Sequence, residues 1–308
     1  MGRHIIFTEA TMKITNKLNL PEGFVKAVST EKHNAPGCLS ATTLIQGVKQ
    51  IILTDQYWDL LEEDVSDRIW AIFGSAVHSI LESEGEYDFT EQAMSYKIGD
   101  ITVTGTIDSY NMKHGIIDDY KTASVVKVKF GDYSDWYLQG MIYAWLLTKN
   151  NFTVNKCRFI ALLKDHSKTD ALRERDYPND PVYIYEFPVT PQALFKIGIY
   201  IKNKVTEYKR CLKLTDNEIP PCTPEERWER PPKFAVMKNG LKRAVRLFDR
   251  REDADLLAEM KGVSHYVEYR HGESVRCRSY CLCKKFCNFY HESVISSYHE
   301  IIDEQAAA

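Results

Sequence analysis

The chain contains no apolar run of the roughly 20 residues that a membrane-spanning helix requires, so no membrane partner is expected. Heptad series, internal repeats and low-complexity tracts are also missing, which argues against a coiled coil, a solenoid or a disordered tail. No apolar signal segment opens the sequence. With eight cysteines present, this points to a reducing compartment, where clustered thiols bind metal more often than they form disulfides. There is also no basic excess. Forty Lys and Arg stand against 43 Asp and Glu, a formal net charge of −3 that does not advertise a nucleic-acid binder.

What is present is enough apolar material, 44% of 308 residues, for one large domain or two small ones. The charge is also unevenly distributed. Asp55 to Asp67 is rich in acid, whereas Lys233 to Arg251 holds Lys238, Lys242, Arg243, Arg246 and Arg250 against Asp249 alone. An acidic protein can bind DNA through one basic stripe. A solvated charged hairpin is the competing reading of that stretch.

The most informative segment runs from Gly105 to Thr122. Thr102–Tyr110 and Ile116–Lys121 read as strands, with Asn111 to Gly115 supplying the turn. Paired as a hairpin, they bring Asp108 almost opposite Asp119. Alternation along the second strand puts Asp119 and Lys121 on one face and Tyr120 on the other. Asp118 directly precedes Asp119, and the shared face with Lys121 favours Asp119. Two converging carboxylates repel unless a cation lies between them. Oxygen ligands of this kind suit Mg²⁺ or Mn²⁺, as one or two ions. Isolated Asp-x-Lys patterns are common on solvated surfaces, so the surroundings must decide.

Upstream, Ile69, Ala76, Val77, Ile80 and Leu81 recur at helical spacing around Gly74 and His78. Downstream, Trp136 to Leu147 is again helical, with Gln139 and Tyr143 four apart on one face. The plain readings are a packed histidine on one helix and a polar edge on an amphipathic core helix on the other.

In order, Gly74-x-x-x-His78, Gly105-x-Ile-Asp108, Asp119-Tyr-Lys121-Thr and Gln139-x-x-x-Tyr143 resemble the motifs of the PD-(D/E)XK nuclease superfamily, in its RecB-like exonuclease branch. The resemblance covers about residues 65 to 165. It implies an α/β core of helix, three-stranded hairpin sheet, helix and strand. The residue pattern agrees: helix 67–84, strands near 90–98, 101–110 and 115–121, helix 135–149 and strand 156–164. It also implies roles. His78, Asp108 and Asp119 would ligate the metal together with the Tyr120 carbonyl. Lys121 would orient or activate the attacking water, and Gln139 would hold the site and contact nucleic acid, with Tyr143 beside it. One departure is Gly140, where the family has a leucine after the glutamine; the glycine opens room beside the helix.

The second constellation is Cys277-Arg-Ser-Tyr-Cys281-Leu-Cys283-Lys-Lys-Phe-Cys287. Cys277, Cys281 and Cys287 resemble the C-terminal trio that holds a 4Fe-4S cluster in AddB-like and CRISPR-associated members of the branch, and the tail also looks like that of virus-encoded members. The first gap is one residue wider than usual. Cys222 is the favoured fourth ligand, with Cys38 and Cys283 as alternatives. Thiolates suit a zinc ion as well. Cys157 and Cys211 read as small buried residues.

The remainder predicts a connector at 216–231, a module boundary near 215, a long loop over 166–181, and two strands between Phe234 and Phe248 around Asn239-Gly240. A helix from Glu252 to Lys261 and a strand from His265 to Arg270 follow. The expected organisation is a nuclease core with an N-terminal helical region over 1–215. A small α+β module over 216–308 would carry the basic hairpin and the metal cluster. The expected activity is metal-dependent DNA exonuclease in a bacterial cytoplasm or a virus-infected cell, serving recombination, repair or replication. A structure-specific endonuclease or a silent nucleic-acid-binding module are the alternatives. A homo-oligomer and a helicase or recombination partner stay open.

Overall fold

The computed structural model of the chain describes residues 12–29, 35–84 and 88–295. Two compact units emerge: residues 1–48 with 59–213, and residues 49–58 with 214–308. Among the described residues, no helix is long and apolar enough to cross a membrane.

The first unit is mixed α/β. Helix α1 (Ile69–Glu84) precedes a meander of β1 (Phe89–Ile98), β2 (Ile101–Asn111) and β3 (Ile116–Ala123). Helix α2 (Ser134–Lys149) then leads to β4 (Lys156–Leu163), β5 (Val182–Pro188) and the long helix α3 (Pro191–Cys211). β4 lies parallel to β3 and antiparallel to β5. This is the helix, three-stranded meander, helix and strand order that the PD-(D/E)XK resemblance implies, with boundaries close to those read from periodicity.

Helix α2 departs from the amphipathic expectation. Met141, Ile142, Leu146 and Leu147 are at most 1% exposed, and Gln139 and Tyr143 are buried as well. A helix buried on all sides lies inside the protein rather than on its surface. Each large apolar side chain so buried contributes roughly 1.5–3 kcal/mol. Two glycines allow the close approach. A Cβ on Gly140 would come within 2.8 Å of the Phe159 ring and 2.9 Å of Phe187, and one on Gly105 within 2.9 Å of Tyr143 and Leu146.

The segment 166–181 is not entirely loop. Ser167 caps a short helix, Lys168–Arg173, by accepting from the Asp170 N–H at 3.2 Å. That is ordinary N-cap chemistry, hidden in sequence by the prolines that follow.

The second unit holds a small antiparallel sheet of β6 (Lys233–Lys238), β7 (Arg246–Phe248) and β8 (His265–Arg270), with helix α4 (Arg251–Lys261) packed on it. Val236, Ala254 and Ala258 form its buried centre, flanked by Phe234, Phe248, Leu257 and Val267. The Asn-Gly hairpin expected here is present, with its strand pairing set back from the turn. The turn itself is made, with Gly240 at φ +79° and the Leu241 N–H donating to the Lys238 carbonyl at 3.0 Å, but the second strand pairs only from Arg246 on.

Residues 49–58 are a fixed point of this unit. Lys49 is buried, and its ammonium donates to the carbonyls of Asp216 and Ile219, each at 2.9 Å, and to Asn288 Oδ1 at 2.6 Å. Tyr57 stacks on Phe286 at 4.2 Å, and the Cys283 thiol reaches the Gln50 carbonyl at 3.7 Å. The connector and the cysteine segment are therefore both fastened to the same short stretch.

Candidate metal centre

The ladder between β2 and β3 is short. Ser109 faces Asp118, Tyr110 faces Ile117 and Asn111 faces Ile116, and there the pairing stops. Nearer the start of β2, Thr102 to Thr104 pair instead with a short parallel strand, Cys38–Ser40. Asp108 sits where β2 passes from one partner to the other. Its Oδ2 accepts the Tyr120 N–H at 2.9 Å, so a carboxylate replaces the missing rung.

Asp119 is 1% exposed. Lys121 Nζ lies 2.5 Å from its Oδ2, an ion pair off the hydrogen-bond axis, and neither carboxylate oxygen has a hydrogen-bond partner among the described residues. A buried charge with incomplete partners costs several kcal/mol. Lys121 also lies over the Phe159 ring at 5.5 Å, which places Asp119 and Lys121 on the side of the sheet covered by α2. Asp118 is engaged elsewhere. It makes two 2.6 Å hydrogen bonds with Arg158 across the β3–β4 pair.

His78 comes from α1. Its Nδ1 is 3.4 Å from Asp108 Oδ2 and 3.9 Å from Glu91 Oε1, and its ring meets Tyr120 edge-on at 6.1 Å. Gln139 donates to the Tyr143 hydroxyl at 2.8 Å. Burial, then the Asp119 charge, push the Tyr143 phenol well above its ordinary value. Burial is likewise the main reason Asp108 is raised to about 6, reinforced by Asp119 and opposed by His78, Lys121 and the Tyr120 N–H.

The fold thus gathers His78, Asp108, Asp119, Tyr120, Lys121 and Tyr143 about one stretch of β2 and β3, with Gln139 holding Tyr143. Glu91 is an addition that the motifs did not indicate. His78, Glu91 and Asp108 present ligand atoms all within 4.8 Å of one another. The donor set fits a divalent cation: two buried carboxylates converge, and the oxygens of Asp119 still lack hydrogen bonds. Carboxylate oxygens with one imidazole suit Mg²⁺ or Mn²⁺.

The cysteines of the second unit lie near one another without closing a compact tetrahedron. Cys281 and Cys283 sulfurs are 3.5 Å apart. Burial raises the Cys222 thiol to about 12, with added repulsion from Cys277 and Cys281. Burial raises Cys277 to about 11, with Cys281 and Cys287 adding to it. Hydrogen bonding to Cys283, then burial, push Cys281 up further. No three cysteine sulfurs among the described residues lie within 4.8 Å of one another. Cys38 belongs to the first unit, and Cys157 and Cys211 are buried there. In the basic hairpin, Lys242, Arg243 and Arg246 are exposed, and Arg246 covers the Phe248 ring at 5.0 Å.

No protein-family model matches the chain, and no curated protein matches it. Solved structures do. SSO0001 is 17% identical over 62% of this chain and 96% of its own, with a TM-score of 0.44. A phage related exonuclease from Haemophilus somnus 129PT is 10% identical over 56% and 94%, TM-score 0.37. An alkaline exonuclease from Laribacter hongkongensis is 9% identical over 62% and 94%, TM-score 0.39. Two of these three are described as exonucleases.

Proposed function

We propose that the chain is a divalent-metal-dependent deoxyribonuclease that degrades DNA from an end, in the manner of RecB-like PD-(D/E)XK exonucleases. The observation that carries this reading is Asp119. It is a fully buried carboxylate without hydrogen bonds, set beside a second buried carboxylate and a lysine ammonium. An arrangement that destabilises the fold in the absence of a cation is well suited to holding one.

His78, Asp108, Asp119 and the Tyr120 carbonyl would hold the ion. When bound, it supplies charge stabilisation at a phosphodiester. The side chains do the rest. Lys121, steered by Asp119, places an ammonium where an attacking water can be held and phosphate charge met. Tyr143, fixed by Gln139, closes the inner wall and excludes bulk water from Asp119. Asp108 must be ionised to serve, which favours work at neutral to alkaline pH. The exposed Lys242, Arg243 and Arg246 would bear on DNA phosphates. The intact Asp108, Asp119 and Lys121 set speaks against a silent binding module. An endonuclease would use the same site, so the substrate decides. End-labelled linear DNA should be degraded with Mg²⁺ or Mn²⁺ while closed circular DNA survives; cutting of the circle would support the endonuclease instead. A cytoplasmic role in recombination, repair or replication, with a helicase or recombination partner or a second copy, goes with the same reading.

Cys222, Cys277, Cys281 and Cys287 form the proposed cluster site. Sulfurs around one tetrahedral zinc stand roughly 3.8 Å apart, given Zn–S bonds near 2.3 Å. The wider spread here favours a 4Fe-4S cluster, whose irons sit at separate corners. About four irons per chain in anaerobically purified protein is the expected assay result; one zinc would reassign the site.

A further inference from the structure

β5 ends the sheet of the first unit. It pairs with β4 on one side and, among the described residues, with no strand on the other. In an antiparallel ladder, hydrogen-bonded and non-bonded pairs alternate. The Leu163 N–H donates to the Pro181 carbonyl and the Val189 N–H to the Asn155 carbonyl, each at 2.8 Å. The register runs unbroken between these rungs, from Leu162 opposite Val182 to Lys156 opposite Pro188. The main chains of Tyr183, Tyr185 and Phe187 therefore turn inward to β4, and those of Val182, Ile184 and Glu186 turn outward. Pro188 falls in the outward set, where a proline costs no bond within the sheet.

An outward row of unpaired N–H and C=O groups is a template for another strand, and edge strands usually carry a device against it. β5 has none before Pro188. It has no lysine and no bulge, and its one charge, Glu186, is paired with Lys156 at 3.1 Å. Val182 and Ile184 are 45% and 54% exposed. On the opposite face the strand is held in place. The Tyr133 ring stacks on Tyr183 at 5.4 Å and on Tyr185 at 4.6 Å, and Phe187 stacks on Phe159 at 6.3 Å. The edge is thus formed before anything binds to it, which lowers the ordering cost of adding a strand.

We propose that β5 is a self-association edge, which pairs antiparallel with β5 of a second copy of this chain across a two-fold axis at Ile184. Ile184 belongs to the outward set, so this register puts it opposite its own counterpart and Val182 opposite Glu186. Each such pair exchanges main-chain hydrogen bonds in both directions. Tyr183 meets Tyr185 on the other face. No charge then faces a like charge, and no proline lies inside the paired stretch, so the strand is complementary to itself. The contact is isologous and closes at two copies. A single strand pair buries less than the roughly 1,200 Å² of a standard interface, so association is weak and rises with concentration. The proposal does not depend on the nuclease reading.

The test is analytical ultracentrifugation of the full chain over a concentration series. Wild type should pass from monomer to dimer. Ile184→Lys sets two ammonium groups opposite each other at the axis, and Ile184→Glu sets two carboxylates there; each should weaken the dimer by about tenfold or more. An equimolar mixture of these two variants should recover it, because opposite charges then face one another. Ile184→Pro should also give a monomer, since it removes an outward N–H and leaves the β4 rungs in place. Circular dichroism and the melting temperature show whether each variant is folded; Ile184→Lys keeps every backbone group and decides the matter if Ile184→Pro unfolds. A wild type monomeric up to its highest soluble concentration would overturn the proposal and leave the edge to a strand of another protein. Assembly into a trimer or larger ring, a dimer indifferent to Ile184, or no recovery in the mixture would overturn it as well. None of these results touches the metal-dependent reading.

Discussion

Asp108→Asn should make the metal-free protein more stable while removing its response to metal. Asp108 rises from 3.8 to about 6 in the folded protein, chiefly through burial and then through the Asp119 charge. A raised carboxylate pKa means the folded state holds the proton more tightly than the unfolded one. Below the unfolded value both states are protonated and there is no penalty. As pH rises from about 3.8 through about 6, the penalty grows, and above that it is fully present. A shift of about two units at about 1.4 kcal/mol each sets its size near 3 kcal/mol at most. Asparagine is neutral and can still accept the Tyr120 N–H, so a gain of about 1–3 kcal/mol is expected at pH 8. In a unit of this size that is several degrees in melting temperature. The assay is thermal unfolding with a chelator at pH 8 and pH 4, then at pH 8 with Mn²⁺. The gain should appear at pH 8 and shrink at pH 4, and Mn²⁺ should stabilise wild type much more than the variant. An asparagine variant no more stable than wild type at pH 8, or equally gained at both pH values, would refute the electrostatic account.

Lys121→Ala should abolish cleavage yet keep the ion bound, as read by calorimetric titration of the metal-free chain with Mn²⁺; loss of binding would make Lys121 a structural partner of Asp119. Gly140→Ala should destabilise the first unit by about 1–3 kcal/mol, because its Cβ would press on Phe159 and Phe187; a neutral denaturation midpoint would show that α2 has slack. Replacing Lys242, Arg243 and Arg246 together with alanine should weaken DNA binding and flatten its salt dependence by up to about three counterions' worth of slope. An unchanged slope would return the hairpin to a solvated face.

Much of the first unit was legible because its signals are local. The 3.6-residue period around Ile69 to Leu81 and the apolar run before Leu147 mark the helices that frame the sheet. Alternation alone distinguished Asp119 from Asp118, and the structure gives the reason for the difference. Asp118 faces Arg158, whereas Asp119 shares the α2 side with Lys121. What escaped depends on backbone or distant partners. Nothing in the sequence around Glu91 announces its φ of +48° or its place 3.9 Å from His78 Nδ1. Lys49 reads as an ordinary surface lysine, yet it is buried against carbonyls about 170 residues away in the chain. The polar edge of α2 could not be seen as interior, because Gln139 and Tyr143 satisfy each other only once the helix is packed. In the cysteine segment, spacing suggested metal, but the separation of the sulfurs is a three-dimensional property.

The central claim is that buried Asp119 exists to hold a divalent ion for phosphodiester hydrolysis. The most direct measurement compares wild type with Asp119→Asn on end-labelled linear DNA with Mn²⁺, alongside circular dichroism of both proteins. The account predicts ladder-like degradation by wild type, none in chelator, and none by the folded variant. Degradation by the variant at the wild-type rate would contradict it.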